Sequence, residues 1–296
     1  MKKLLALILA AAMLLALAAC AAKETPTTET ETANDSQTAD DAQTPADTPD
    51  DTAEDNSGDD AQTSDMENII SKGKMVVGIT DYDPMNYRDE NGEWTGFDTE
   101  LTIAVCEKLG IEPEFIEISW DNKEFELDSG SIDCVWNGMT LTDGVKEAME
   151  TTTAYLVNNQ VIVMDENEVG NYTDVGSMKG LTFACEAGSA GEAALMEADL
   201  QYTAVSSQAN ALLEVKSGSV DACVIDSIMA GAVTGEGTSY SELGAGYSFA
   251  TEEFGIGFRK GSDMASKVDE IIAELRADGT VQALAEKYEL TGGLVD

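Results

Sequence analysis

Histidine is absent from the 296 residues of this chain. That absence excludes a Ser-His-Asp or Cys-His catalytic group, a His-ligated metal and a histidine-based pH switch, and with them most hydrolase chemistry. Basic side chains are scarce too: Lys plus Arg total 16 against 57 Asp plus Glu, for a formal net charge of −41. A protein that tracks nucleic-acid phosphates needs clustered lysine and arginine, so a nucleic-acid partner is excluded. Beyond Cys20 the cysteines are Cys106, Cys134, Cys185 and Cys223, with no Cys-x-x-Cys pair, so no metal site is expected. They lie in apolar-periodic segments and read as buried free thiols, although an exported chain could form disulfides. No cofactor is expected.

What is present is enough apolar side chain, 43% of residues, to bury a core. Lys2 and Lys3 precede an apolar run from Leu4 to Ala16, closed by Leu17-Ala18-Ala19-Cys20. The run is short for a membrane span and ends in small residues, so residues 1–20 read as an export signal. The Cys after Leu-Ala-Ala resembles the lipobox of bacterial lipoproteins, which implies cleavage before Cys20 and acylation of its sulfur. Residues 21–65 are Thr, Asp, Glu, Ala, Pro and Gln with almost no large apolar residue. Such a segment cannot offset its ordering entropy and reads as a self-repelling, disordered acidic linker.

The folded part is therefore expected after residue 65, and it contains an internal echo. Met75 to Ile79 reads as a strand, and Asp98 as the cap of a helix running to Leu109. Phe115 to Ile118 is a second strand, a short helix follows, and Ile132 to Trp136 is a third strand. Leu181 to Cys185, residues 189–199, Tyr202 to Val205, residues 207–216 and the strand ending at Ile225 repeat the order. Ser129-Gly130-Ser131-Ile132-Asp133-Cys134 and Ser217-Gly218-Ser219-Val220-Asp221-Ala222-Cys223 are nearly the same words in the same place. Strand, helix, strand, helix, strand, twice over, predicts an α/β protein of two lobes with mostly parallel sheets. The chain is expected to cross near 160–166 and return near 253–258, two crossovers that form a hinge. Lobe 1 is then 66–160 plus 255–296, and lobe 2 is 161–254.

In open α/β sheets ligands sit beyond the carboxyl ends of strands. Those ends here carry Asp81 and Tyr82, then Asn137, Gly138, Met139 and Thr140, then Glu186, Gly188, Ser189 and Ala190, and finally Asp226. With Trp120, which follows the second strand, they make one candidate ligand-binding set if the two lobes face each other. Gly188-Ser189-Ala190 opens a helix whose free N–H groups suit an anion. A carboxylate at 226 suits an ammonium once water is excluded. Gly188 also reads as a backbone requirement, and Asp226 alternatively as a helix cap before Ser227.

The order and spacing of several words are similar to family 3 extracellular solute-binding proteins, the polar amino-acid-binding components of ABC transporters. They are Gly92-Glu93-Trp94-Thr95-Gly96-Phe97-Asp98, Ser119-Trp120-Asp121, Gly138-Met139-Thr140-Leu141-Thr142, Ala187-Gly188-Ser189, Asp221 to Asp226, Gly255 to Gly261 and Arg276 to Thr280. The resemblance implies a periplasmic-binding-protein type II fold, a venus flytrap that closes on its ligand without catalysis. It also implies an ABC permease and its ATPase as partners for a monomer anchored outside the cell membrane by lipid. By resemblance, Tyr82 packs over the ligand, Thr140, Ser189 and Ala190 donate to an α-carboxylate, and Asp226 pairs with the α-ammonium.

One position departs from the family pattern. Where the helix after Gly-Met-Thr-x-Thr usually carries an arginine, this chain has Val145, which cannot clamp a carboxylate. Lys146 is one residue on, and a quarter-turn or more round the helix. The arginines are Arg88, Arg259 and Arg276, none at a strand end expected to face the cleft. Two other readings stand beside transport: a sensor without transport, and a dehydratase on the same fold. The acidic, Thr-rich linker after a lipidated Cys is similar to those of Gram-positive lipoproteins.

Overall fold

The computed structural model describes residues 64–295; the expectations for the export segment, Cys20 and nearly all of the acidic linker lie outside the described residues. The chain enters through α1 (Asp65–Lys72), β1 (Lys74–Ile79) and a small hairpin of β2 (Tyr87–Arg88) and β3 (Trp94–Thr95). Then come α2 (Phe97–Leu109), β4 (Glu112–Glu117), α3 (Lys123–Asp128), β5 (Cys134–Thr140), α4 (Asp143–Ala148) and β6 (Glu150–Thr151). The long strand β7 (Leu156–Asp165) leads into β8 (Thr182–Glu186), α5 (Ala190–Glu197), β9 (Gln201–Val205), α6 (Gln208–Ser217) and β10 (Ala222–Asp226). After α7 (Ser227–Val233) the chain returns through the 16-residue β11 (Leu243–Phe258) to α8 (Met264–Ala277) and α9 (Thr280–Lys287).

The echo is real at atomic detail. β1 lies between β4 and β5, all parallel, and β8 lies between β9 and β10, again parallel. The repeated words fold the same way. Ser129 Oγ and Ser131 Oγ pair at 2.9 Å, and Ser217 Oγ and Ser219 Oγ at 2.8 Å. The aspartate of each word accepts from the strand beside it: Asp133 Oδ2 from Val76 N–H at 2.9 Å, and Asp221 Oδ2 from Thr182 N–H at 2.7 Å. A short helix, a tight turn and a carboxylate that catches the next strand's free amide make one local unit, used twice.

The two halves are not separate sheets. The strands form one hydrogen-bonded path, β4-β1-β5-β11-β7-β10-β8-β9, with β6 on the end of β11. The crossovers themselves are strands. β7 and β11 run antiparallel from Leu156–Phe254 to Asp165–Leu243, and β11 then continues along β5 from Phe254–Thr140 to Phe258–Cys134. Backbone amides of both crossovers are satisfied by one another, so no loop has to be ordered at the junction.

The last helices complete the first half. Val268, Ile271, Ile272 and Leu275 of α8 recur at helical spacing, are all buried, and α8 and α9 pack on α2. Burying each such side chain stabilises by about 1.5–3 kcal/mol at most. The four cysteines Cys106, Cys134, Cys185 and Cys223 are free and buried, and burial pushes the Cys106 and Cys185 thiols up to about 12. Among the described residues no helix is long and apolar enough to cross a membrane.

Asp98 is not the cap the sequence predicts. The cap residue of α2 is Gly96, and Asp98 sits in the first turn, fully buried. Its Oδ2 accepts from Gly138 N–H at 2.7 Å and from Tyr155 Oη–H at 2.9 Å, tying α2 to β5 and to the start of β7. Burial pushes its carboxyl up to about 7, against the pull of those donors. A folded-state value above the unfolded one means stability is full below about pH 4 and is lost as pH rises through about 7. Asp98→Asn is expected to flatten the fall in melting temperature between pH 5 and 8, and Asp98→Ala to cost about 1–3 kcal/mol by orphaning Gly138 N–H. Thermal unfolding followed by circular dichroism across that range decides it; identical pH profiles for wild type and Asp98→Asn would remove Asp98 as the cause.

Candidate functional site

The carboxyl ends of β5, β8 and β10 and the middle of β7 converge on a small enclosed cavity. Trp120, Asn137, Gly138, Thr140, Gln160, Glu186, Ser189, Ala190, Gln208 and Asp226 line it. At about 20 Å³ it holds about one water. A second cavity of about 220 Å³ adjoins it, sharing Trp120, Thr140, Ser189 and Ala190 and adding Lys123, Met139, Val145 and Gly188.

Asp226 is the most constrained residue of the group. It heads α7 but makes no capping bond there; its carboxylate turns inward. Oδ1 accepts from Asn158 Nδ2 and from Gln160 Nε2, both at 2.6 Å, and Oδ2 accepts from Gln208 Nε2. Gln208 Oε1 also accepts from the Asp226 N–H at 2.9 Å, so this glutamine holds the residue by both ends. The same two amides, Asn158 and Gln160, donate to Glu252 Oε1 at 2.7 Å each. Burial, and then the charge of Glu252, push the Asp226 carboxyl up to about 8. No ion pair reaches it among the described residues.

Glu186, at the end of β8, is 3% exposed, and its Oε1 is buried with no hydrogen-bond partner. Burial and the neighbouring Asp226 push it up to about 8, against the pull of the Lys123 ammonium. Lys123 is itself buried at the head of α3. Its Nζ donates to Trp120 O at 3.1 Å and to Gly188 O at 3.0 Å, and sits 4.8 Å from the centre of the Trp120 ring. Loss of hydration pulls its ammonium below the ordinary lysine range.

The remaining sequence-predicted residues take varied places. Tyr82 is 1% exposed, meets Phe254 edge-on at 6.5 Å, and its buried hydroxyl is pushed well above the ordinary tyrosine range by burial and then by the neighbouring Asp226 carboxyl. Gly138 has φ +55°, and a Cβ there would stand 2.7 Å from the Tyr82 ring. Asn137 lines the cavity with its amide already used: Nδ2 donates to Thr80 Oγ1 at 2.7 Å, and Oδ1 accepts from Asn86 Nδ2 at 2.8 Å. Ser189 caps α5, its Oγ accepting from Glu192 N–H at 3.1 Å, while Glu192 Oε2 accepts from Gly188 N–H at 2.7 Å. Met139 is buried among Ile132, Val135 and Met149. Asp81 stands apart, exposed in a separate depression with Arg88 and Glu117.

Lys123, Asn158, Gln160, Gln208 and Glu252 escape the sequence reading. Asn158 and Gln160 did leave a signal: two polar residues at strand spacing inside an apolar run face one side together. Val145 packs against an apolar cluster, while Lys146 points out to solvent and lines neither cavity. The three arginines are spent elsewhere. Arg88 stacks 4.0 Å over Trp94, Arg259 binds Asp65 and Asp133, and Arg276 donates to Val295 O.

Two repeated α/β halves joined through paired long strands, with acidic and amide side chains gathered at their strand ends, define a two-lobed solute-binding protein of the type II fold. The family model for bacterial extracellular solute-binding proteins, family 3, matches residues 75–291, and the chain belongs to that family. It is 28% identical over 228 residues to the L-cystine-binding protein TcyJ of Escherichia coli K12, covering 75% of this chain and 85% of that one. It is 29% identical over 227 residues to the arginine-binding extracellular protein ArtP of Bacillus subtilis 168, covering 73% and 86%. Among solved structures, a mutant of ArgBP from T. maritima superposes with TM-score 0.71 at 28% identity, covering 76% of this chain and 98% of that one. The ancestral amino acid-binding protein AncCDT-1, a precursor of cyclohexadienyl dehydratase, does so with TM-score 0.70 at 29% identity, covering 76% and 99%.

Gly188 tests how tightly the site is assembled. Its φ is +70°, and a Cβ would stand 2.8 Å from the Cα of Asp121. Gly188→Ala is therefore expected to cost about 1–3 kcal/mol and to loosen the contact between the Trp120 turn and α5. A chemical-denaturation midpoint equal to wild type would show that the approach is not confining.

Proposed function

We propose that this protein is the extracytoplasmic receptor of an ABC importer and captures a small polar solute, an amine-bearing compound of the amino-acid class, in the cleft between its lobes. The observation that carries the reading is Asp226: a carboxyl buried at a strand end, fixed by three side-chain amides and left without a counter-cation. An arriving ammonium supplies that cation. The cystine-, arginine- and histidine-binding proteins among its relatives support the amino-acid class.

On this reading the lobe boundary falls near residues 160 and 254, where β11 passes from β7 to β5. The enclosed cavity takes about one water, so a solute of amino-acid size enters only when the lobes part. Ligand contacts on both sides then favour closure, and the closed form docks on the permease. Residues 1–20 direct export, acylated Cys20 holds the monomer on the outer face of a Gram-positive membrane, and residues 21–65 are its tether. The protein turns nothing over.

The carboxyl of Asp226 gives the reading a pH signature. With its free value near 8, the site holds a proton at neutrality, and a bound ammonium expels it. Affinity for an amine is then expected to strengthen as pH rises from 6 to 8, by up to about tenfold per unit for each proton released. Isothermal titration calorimetry in buffers of different ionisation enthalpy reads the released proton directly. Asp226→Asn is expected to lose both the binding and the proton release. A folded protein that binds no amine, or binds one with no dependence on Asp226, defeats the proposal.

A further inference from the structure

Asp226 accounts for one positive group on the solute; a second acid in the same cavity is left over. Glu186 Oε1 is buried and, among the described residues, has no hydrogen-bond partner. Its strand, β8, is hydrogen-bonded to β10 in parallel, with Phe183 opposite Ala222 and Ala184 opposite Cys223. That pairing brings the ends of β8 and β10 side by side, and Glu186 and Asp226, the last residues of the two strands, both line the small cavity.

The neighbours of Glu186 do not complete it. Among the described residues Lys123 is the cation that acts on it, and it is committed to the carbonyls of Trp120 and Gly188 and to the Trp120 ring. Asp121 and Asp226 also face Glu186, and both add negative charge. The amides that line the cavity are equally committed. Gln208 Nε2 and Gln160 Nε2 donate to Asp226, and Asn137 Nδ2 to Thr80. A buried acceptor left unmade is costly, and nothing in the folded chain relieves it. A cationic donor on the solute relieves it by taking the place of the acid's proton, as an ammonium does at Asp226, whereas an anion there would add to the negative charge of Asp121.

We propose that Glu186 reads a second donor group on the solute, so that the site selects a small compound bearing two separated cationic groups over one bearing a single ammonium. This rests on the amine-receptor reading above and narrows it. A site built to hydrogen-bond a polar group rejects the analogue lacking it far more strongly than an apolar pocket rejects a missing methylene.

Two pairs of probes isolate the second charge at matched length: L-lysine against L-norleucine, and 1,5-diaminopentane against pentylamine. Calorimetry on the folded chain is expected to show each doubly cationic probe binding at least about tenfold tighter than its partner. Glu186→Gln is expected to shrink that ratio to about threefold or less, and Glu186→Leu to reverse it, with melting temperatures checking that both variants fold. Equal affinities within both pairs for wild type, or an undiminished ratio in Glu186→Gln and Glu186→Leu, overturn the role of Glu186 and leave the receptor reading standing. No binding of any of the four probes to wild type overturns both.

Discussion

A carboxyl shut away from water with no cation beside it is the constraint on which the rest of this site turns. Asp226 meets that constraint with amide donors: Asn158, Gln160 and Gln208 converge on its two oxygens. Amides compensate a carboxylate only partly, which is why its proton is held so far above the ordinary range. Each of those amides is in turn placed by a different element. β7 brings Asn158 and Gln160, α6 brings Gln208, and β11 brings the second acid, Glu252, to the same two amides. The acid therefore ties one lobe's strand end to both of the strands that join the lobes.

That arrangement gives a physical meaning to the continuous sheet. Had the crossovers been loops, the lobes could have moved without disturbing the site. Here the strands that cross also carry polar side chains of the cavity, so a change in twist along the β7–β11 pair shifts Gln160 and Glu252 against Asp226. Lys123 adds a bond from the Trp120 turn to Gly188. Any charge that reorganises these contacts would act directly on the paired strands, and differential contact between two arrangements is what a population shift requires.

Much of this was legible in the sequence because much of it is local. The repeated Ser-Gly-Ser-x-Asp words could be recognised because each folds through bonds to near neighbours, and the strand ends they anchor led to Glu186 and Asp226. What stayed hidden is held by distant partners. α1 begins inside the acidic stretch that reads as linker, and its Asp65 is fixed by Arg259, 194 residues away. The first half of β11 is half-exposed and interrupted by Gly244 and Gly246, so it carries no strand pattern of its own. Its pairing with β7 makes it a strand. Lys123 and Gln208 open helices, where a polar residue reads as a solvated cap, and only the tertiary fold turns them inward. Asp98 was misread for the same reason: its chemistry suits a cap, and its partners Gly138 and Tyr155 lie 40 and 57 residues away.

The balance of charge around the cavity is what separates this site from a carboxylate clamp. Position 145, where the resemblance to the family pattern implies an arginine, packs a valine into an apolar cluster. The arginines are committed to Trp94, to Asp65 and Asp133, and to the backbone carbonyl of Val295. Near the head of α5 the cavities are lined by a buried ammonium, Lys123, whose hydrogen bonds go to carbonyls, together with Thr140, Ser189 and Ala190. Those groups suit a carboxylate as donors but hold it less firmly than a guanidinium fork does. The small cavity also holds Asp226 and Glu186, and Glu252 shares the amides that hold Asp226. The buried charge of the cavity is therefore weighted toward acid. The net charge of −41 acts in the same sense at long range by drawing cations toward the surface, whereas the few buried carboxyls act at short range, where water is excluded.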